Sequence, residues 1–282
     1  KSAAPGQETT FLESKLQETS GAILSLKERN IKRTLLILGL GFLAAVVLLA
    51  QWLNAPPPGY VPLDAGAAGA AAAAKPAMDL GPADLLRSPL FYLLWIMFAC
   101  GAGAGLMIIA NITTIAKLGN IEAGFILVAL LAVGNAGGRI VAGMASDILG
   151  RLWTMFLIFV FQACLMLVLR AGLSNMAAFV VVSMLLGFNY GACLSVFPSA
   201  AKDYFGLKNF GVNYGLVFTA WGVGGLVFPL AAGRMFEAAR AATGSGSYNA
   251  AYLMAASLLV VAAALTFPAR KLETAHHAGR SA

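Results

Sequence analysis

The chain has 282 residues, of which 60% are hydrophobic and 11% charged, with a formal net charge of +7. A soluble domain carries about 25% charged residues and about 45–50% apolar ones. This composition excludes a water-soluble globule, because too few polar groups exist to cover its surface. Lipid is the expected solvent, and the positive charge belongs to loops rather than to a nucleic-acid interface.

Residues 1–33 are polar, and Lys27, Arg29, Lys32 and Arg33 crowd the approach to the first apolar stretch. No short apolar core precedes a cleavage site, so this segment does not read as a signal peptide. A chain beginning at Lys1 is expected to be a fragment or a processed product. A spanning helix needs about 20 mostly apolar residues. Seven stretches qualify: Thr34–Leu53, Pro89–Ala110, Ala123–Met144, Trp153–Leu169, Met176–Pro198, Val212–Gly233 and Ala250–Pro268. The expected fold class is therefore an all-α polytopic membrane protein. One helix (34–53) stands apart, a linker (54–87) follows, and six helices form a bundle (88–269) ahead of a short tail (270–282). The linker opens on Pro56-Pro57-Pro58-Gly59, which cannot continue a helix, and runs on through an Ala/Gly-rich tract to Lys75.

Lys/Arg bias sets orientation. The linker, two alternate turns and the tail hold eight basic residues: Lys75, Arg87, Arg151, Lys202, Lys208, Arg270, Lys271 and Arg280. The opposite turns hold four: Lys117, Arg170, Arg234 and Arg240. The linker and tail are thus expected in the cytoplasm. The six basic residues of the N-terminal segment pull the other way, and the bundle is given precedence.

Two features carry functional content. Gly143-Met-Ala-Ser-Asp147-Ile-Leu-Gly150-Arg151 closes the second bundle helix. Its small residues allow close helix approach, and its Asp/Arg pair can lock a turn to neighbouring helix ends. The second feature is Arg139, the one basic residue well inside a span. It lies eight residues from Asp147, or about 12 Å deeper, near the midplane of a core about 30 Å thick. A guanidinium there needs a cavity or a partner, and it cannot shed its proton. Asp64, Asp79, Asp84, Glu122, Asp147, Asp203, Glu237 and Glu273 all lie in loops or at helix ends. A substrate carboxylate, held bidentately, is then the natural counter-ion. Snorkelling, or pairing with backbone carbonyls or another segment, stays open.

Depth arithmetic brings aromatic residues to the same level. Tyr190 is about 18 Å in from Lys202, and Trp221 about 15 Å inside its span, with Phe218 one turn nearer the cytoplasm. They could box a small planar anion, or simply pack. Asn135 is one turn before Arg139 on the same face. Glycine runs at Gly101–Gly105 and Gly222–Gly225 serve close packing and bending. Cys100, Cys164 and Cys193 all lie in apolar runs and are expected to be small buried hydrophobes, with no disulfide or metal spacing. No catalytic constellation, metal site or cofactor site is expected.

The Gly143–Arg151 loop resembles the Gly-x-x-x-Asp-x-x-Gly-Arg signature of the major facilitator superfamily. A lone helix, a long linker and six helices with this loop after the second of them are similar to helices six to twelve of that superfamily. Asn54-Ala-Pro-Pro-Pro-Gly-Tyr60-Val-Pro62, Gly134-Asn-Ala-Gly-Gly-Arg139, Phe197-Pro198 before Asp203-Tyr-Phe-Gly206, and Asn213-Tyr-Gly-Leu-Val-Phe-Thr-Ala-Trp-Gly222 narrow the resemblance to the oxalate/formate antiporter family, related to the monocarboxylate transporters. It covers nearly everything after about Ile31. It implies a multi-pass protein of the cell (inner) membrane that moves a small carboxylate by alternating access, as exchanger or uniporter. It also implies a missing N-terminal half as partner, and no nucleic acid. Arg139 matches the family's anion-binding arginine, and Tyr190, Phe218 and Trp221 match positions lining its site. Two departures matter. Oxalate exchangers carry lysine at the Trp221 position, so a single cation here favours a monocarboxylate over a dianion. Proton-coupled monocarboxylate transporters carry aspartate at the Asn135 position, so proton coupling through this half is not expected. An oxalate/formate exchanger proper, and a truncated membrane protein that binds a partner without transporting, remain the alternatives.

Overall fold

The computed structural model describes residues 5–52, 79–119, 124–172 and 175–278. Expectations for the linker between 53 and 78 lie outside the described residues. Every regular element among the described residues is a helix. Seven of these helices are long and apolar enough to cross a membrane. The protein is thus an all-α, multi-pass membrane protein.

The chain divides into two units, residues 1–74 and 75–282. The first contains α1 (Pro5–Ala50), whose apolar span Thr19–Ala50 continues without a break from the polar residues before it. The second opens on the short α2 (Pro82–Leu85) and holds six long helices: α3 (Pro89–Leu118), α4 (Gly124–Leu149), α5 (Arg151–Ala171), α6 (Met176–Phe205), α7 (Phe210–Thr243) and α8 (Asn249–Ala278). Proline at the first position starts both α2 and α3, where its missing N–H costs nothing. Gly150, Gly172, Gly206 and Gly244 follow the ends of α4, α5, α6 and α7 with positive φ. Those turns are short because glycine reaches this conformation without a Cβ clash.

Within the second unit the helices pack in three close pairs: α4 with α6, α3 with α7, and α5 with α8. Glycine sets the first pair. A Cβ on Gly134 or Gly138 of α4 would collide with the Met184 or Phe188 carbonyl of α6. One on Gly187 or Gly191 of α6 would collide with the Leu131 or Asn135 carbonyl of α4. Two small-xxx-small stripes thus face each other with the backbones in direct contact, in parallel. In the second pair Gly224 of α7 lies against the Ala99 carbonyl of α3, and Gly103 of α3 against the Phe228 ring.

Helix α3 is the most buried of the six and α4 and α7 the least. The glycine run in α3 explains the difference, since neighbours can press onto it. Gly101 lies under Phe159 and Cys193, and Gly105 under the Tyr190 ring. Phe98 stacks on Phe197 with ring centres 4.3 Å apart. Polar cross-links add register. The buried Asn189 amide of α6 donates to Gln162 Oε1 at 2.6 Å and to the Ile158 carbonyl of α5 at 2.9 Å. Just before α2, Asp79 Oδ1 accepts from the Leu207 and Lys208 amides at 3.0 Å, while the Leu80 carbonyl accepts from Asn209 and Asn213. The end of the linker is thereby stitched to the α6–α7 turn.

One expectation is corrected here. Cys100 and Cys193 are buried, but Cys164 is exposed on the outer face of α5. A thiol in an apolar run reads the same on either side of a spanning helix, because lipid is as apolar as the core.

The α4–α6 contact yields a test. Gly138→Ala should destabilise the bundle by about 1–3 kcal/mol through overpacking. Gly137→Ala should stay within about 0.5 kcal/mol, since a Cβ there meets only the Phe188 ring at 4.0 Å. Thermal unfolding of the two purified variants in one detergent compares them; equal midpoints would contradict the packing described.

Candidate functional site

Arg139 lies on α4, and its side chain is exposed. Its Nε donates to Asn135 Oδ1 at 3.0 Å, across one helical turn. That bond uses one edge of the guanidinium and fixes its orientation. The two Nη groups are left for a bidentate acceptor. Among the described residues no carboxylate forms an ion pair with it.

Tyr190 reaches the same region from α6. Gly191 beside it presses on the Asn135 carbonyl, and Gly105 of α3 leaves room for its ring. Trp221 of α7 donates its indole N–H to the Tyr190 hydroxyl oxygen at 2.9 Å. With that oxygen accepting, the phenolic proton is free to be donated elsewhere. The Arg139 charge lies within electrostatic reach of the Tyr190 and Tyr214 hydroxyls. One turn before Trp221, Phe218 stacks on it at 5.2 Å with the planes 11° apart. Phe218 also meets Phe98 of α3 at 5.9 Å and Tyr214 at 5.6 Å. Four helices therefore converge on one patch holding a cation, a phenol donor and a stacked aromatic wall. Among the described residues no group of three or more His, Cys, Asp or Glu could hold a metal ion.

Tyr214 is absent from the site as read from the sequence. It stacks on Phe210 at 5.6 Å and continues the aromatic ladder Phe210–Tyr214–Phe218–Trp221 along one face of α7. The repeat of three and four residues was the available signal.

The Gly143–Arg151 loop forms a separate cluster. Arg151 reaches Asp147 at 2.6 Å and Asp203 of α6 at 2.7 Å, and donates to Ser146 Oγ at 2.5 Å. The turn that permits this hinges on Gly150, with φ of 89°. The Arg151 side chain is only 14% exposed, whereas Asp147 is 67% and Asp203 36% exposed, so the guanidinium is shielded while the Asp147 carboxylate still meets solvent.

A family model for the Major Facilitator Superfamily matches residues 21–229 and again 94–282. The chain belongs to this superfamily. Its curated relatives include the uncharacterized MFS-type transporter YhjX of Escherichia coli, 28% identical over 151 residues, which are 52% of this chain and 38% of that protein. The oxalate:formate antiporter of Oxalobacter formigenes is 30% identical over 146 residues, 50% of this chain and 35% of that one. Mouse monocarboxylate transporter 14 is 26% identical over 161 residues, 56% of this chain and 31% of its own length. The matches thus span about a third of each of these relatives, from 31% to 38%.

The Arg151 cluster is open to a stability test in this superfamily member. Arg151→Gln should lower bundle stability by about 1.5–3 kcal/mol, the range for hydrogen bonds to charged groups. Arg151→Lys should recover only part of it, because an ammonium lacks the planar fork that serves two carboxylates at once. Thermal unfolding measures both; full recovery by lysine would mean that the fork geometry is unimportant.

Proposed function

We propose that the protein is part of a secondary transporter that moves a small carboxylate across the membrane, with a monocarboxylate preferred. The carrying observation is the Arg139 guanidinium, held by Asn135 and, among the described residues, without an acidic partner, in the region of the Tyr190–Trp221 pair. The two Nη groups take the two carboxylate oxygens. The Tyr190 hydroxyl donates to one of them, oriented by the indole N–H of Trp221. Phe218 and Trp221 form a flat wall against the small planar anion, and Tyr214 extends that wall towards the Arg151 end. The relatives support the substrate class: the Oxalobacter protein is by its name an oxalate:formate antiporter, the mouse protein a monocarboxylate transporter.

One fixed cation sets the preference. A second carboxylate at this depth would bring an unpaired charge into low dielectric. Asn135 cannot carry a proton, which fits anion exchange or uniport better than proton coupling through this site. Alternating access needs an opposing surface, and we assign that role to an N-terminal half outside this chain. The two halves rock about the midplane site, and the Arg151–Asp147–Asp203 cluster, on the side that the Lys/Arg bias assigns to the cytoplasm, holds the ends of α4, α5 and α6 together.

Arg139→Gln in the intact protein, reconstituted in proteoliposomes, should reduce formate and lactate exchange by at least about a hundredfold, as expected when a buried anion loses its charged partner at about 3–5 kcal/mol. Wild-type exchange in that variant would remove the assignment. Trp221→Lys should shift the oxalate-to-formate preference towards the dianion by about tenfold or more, since a hydrogen bond to a charged group contributes about 1.5–3 kcal/mol. Unchanged selectivity would mean that Trp221 does not face the substrate.

A further inference from the structure

The Arg151 end of the bundle carries a second feature, between α5 and α8. Trp153, the third residue of α5, lies in an aromatic cluster with Phe156 and with Phe267 of α8. The Trp153–Phe156 and Phe156–Phe267 ring centres are 5.7 and 5.5 Å apart, and both contacts are edge-on. Arg270 of α8 stands over the Trp153 ring at 5.1 Å from its centre. Leu152 and Thr266 floor a small groove between these side chains. The cluster is not closed off: Trp153 is 41% exposed and Phe267 49%. Arg270 and the adjacent Lys271 are exposed, and neither forms an ion pair among the described residues.

We propose that the mouth of this groove between α5 and α8, where Arg270 and Lys271 are exposed, meets the phosphate headgroup of an anionic phospholipid. The proposal rests on the spans being in a membrane and not on the carboxylate reading. The argument is one of position and charge. Trp153 sits at the very start of a spanning helix, the depth at which tryptophan rings anchor at the headgroup level. A cation over a ring face gains from the quadrupole without losing its charge, so Arg270 still calls for an anion. Basic pockets between spanning helices on the cytoplasmic side are suited to anionic headgroups, and this is the end that the Lys/Arg bias assigns to the cytoplasm. The exposed Phe267 and Trp153 edges would lie along the acyl chains while Arg270 and Lys271 meet the phosphate. A soluble anion would use the basic pair alone and leave those aromatic edges without a role.

The test uses a variant in which Trp52, Trp95 and Trp221 are changed to Phe, so that Trp153 reports alone. It is reconstituted in phosphatidylcholine vesicles containing a minor fraction of brominated phosphatidylglycerol, or the same fraction of brominated phosphatidylcholine. Trp153 fluorescence should be quenched as though the glycerol lipid were enriched about fivefold at the groove, the factor expected for one basic residue near an anionic surface. Adding Arg270→Gln and Lys271→Gln should abolish the preference while leaving quenching by brominated phosphatidylcholine unchanged, which shows that the helix still sits in the bilayer. Equal quenching by the two lipids, or a preference that survives the double change, overturns the proposal. A second measurement keeps all tryptophans. The ratio of phosphatidylglycerol to phosphatidylcholine that co-purifies with the protein should fall in the Arg270→Gln, Lys271→Gln variant, and an unchanged ratio counts against the groove.

Discussion

The contact between α4 and α6 is the constraint from which the rest of the candidate site follows. Four glycines, Gly134, Gly138, Gly187 and Gly191, let the two backbones touch directly. Any Cβ at these positions would push the helices apart. That displacement would separate the two residues that the contact brings to one patch, because Arg139 follows Gly138 and Tyr190 precedes Gly191. In lipid the apolar faces of helices gain little by hiding from their surroundings, so close backbone packing carries much of the association. The same contact that holds the pair together also positions its chemistry.

The second layer of positioning comes from α3 and α7. Gly105 gives the Tyr190 ring a seat, and the Trp221 indole fixes its hydroxyl. Phe218 then fixes Trp221 by stacking, and Phe98 fixes Phe218 from α3. Each aromatic residue is held by the next, so the wall is a chain of contacts rather than a set of independent side chains. Asn135 does for Arg139 what Trp221 does for Tyr190: it uses one hydrogen-bonding site and thereby fixes the direction of the others.

The fold was legible because its signal is coarse. Seven apolar stretches of spanning length in a chain with 11% charge leave no soluble alternative. Arg139 was legible for the converse reason, since a lone guanidinium in an apolar run is costly and calls for an explanation. Tyr190 and Trp221 could be placed at a similar depth by counting residues, but depth does not give the angle around a helix. The hydrogen bond between them depends on how α6 and α7 are rotated, and that follows from glycine contacts with α3 and α4. Tyr214 escaped because a tyrosine one turn beyond Phe218 reads equally as packing. Cys164 was misread because hydropathy cannot tell a lipid-facing residue from a core one. The groove at Trp153 and Arg270 joins residues more than a hundred positions apart, and nothing local marks it.

The two least buried helices of the bundle, α4 and α7, are also those that carry Arg139, Tyr214, Phe218 and Trp221. This coincidence has an energetic reading. Val133, Ile140, Val141, Met144 and Ile148 leave much of α4 apolar and uncovered, as suits lipid or another helix. Arg139 sits on that helix and cannot face hydrocarbon without a cost of several kcal/mol. Its face must therefore meet water or a polar surface at the midplane, where a spanning bundle has neither unless a cavity exists. In the proposed transporter, a site built on the open side of this bundle, with its cation anchored by an uncharged amide, is half of a container. The aromatic wall limits what can share the space with the guanidinium, and the single positive charge limits how much negative charge can enter. Under the function proposed above, both limits act on the same guest, a small flat anion bearing one carboxylate.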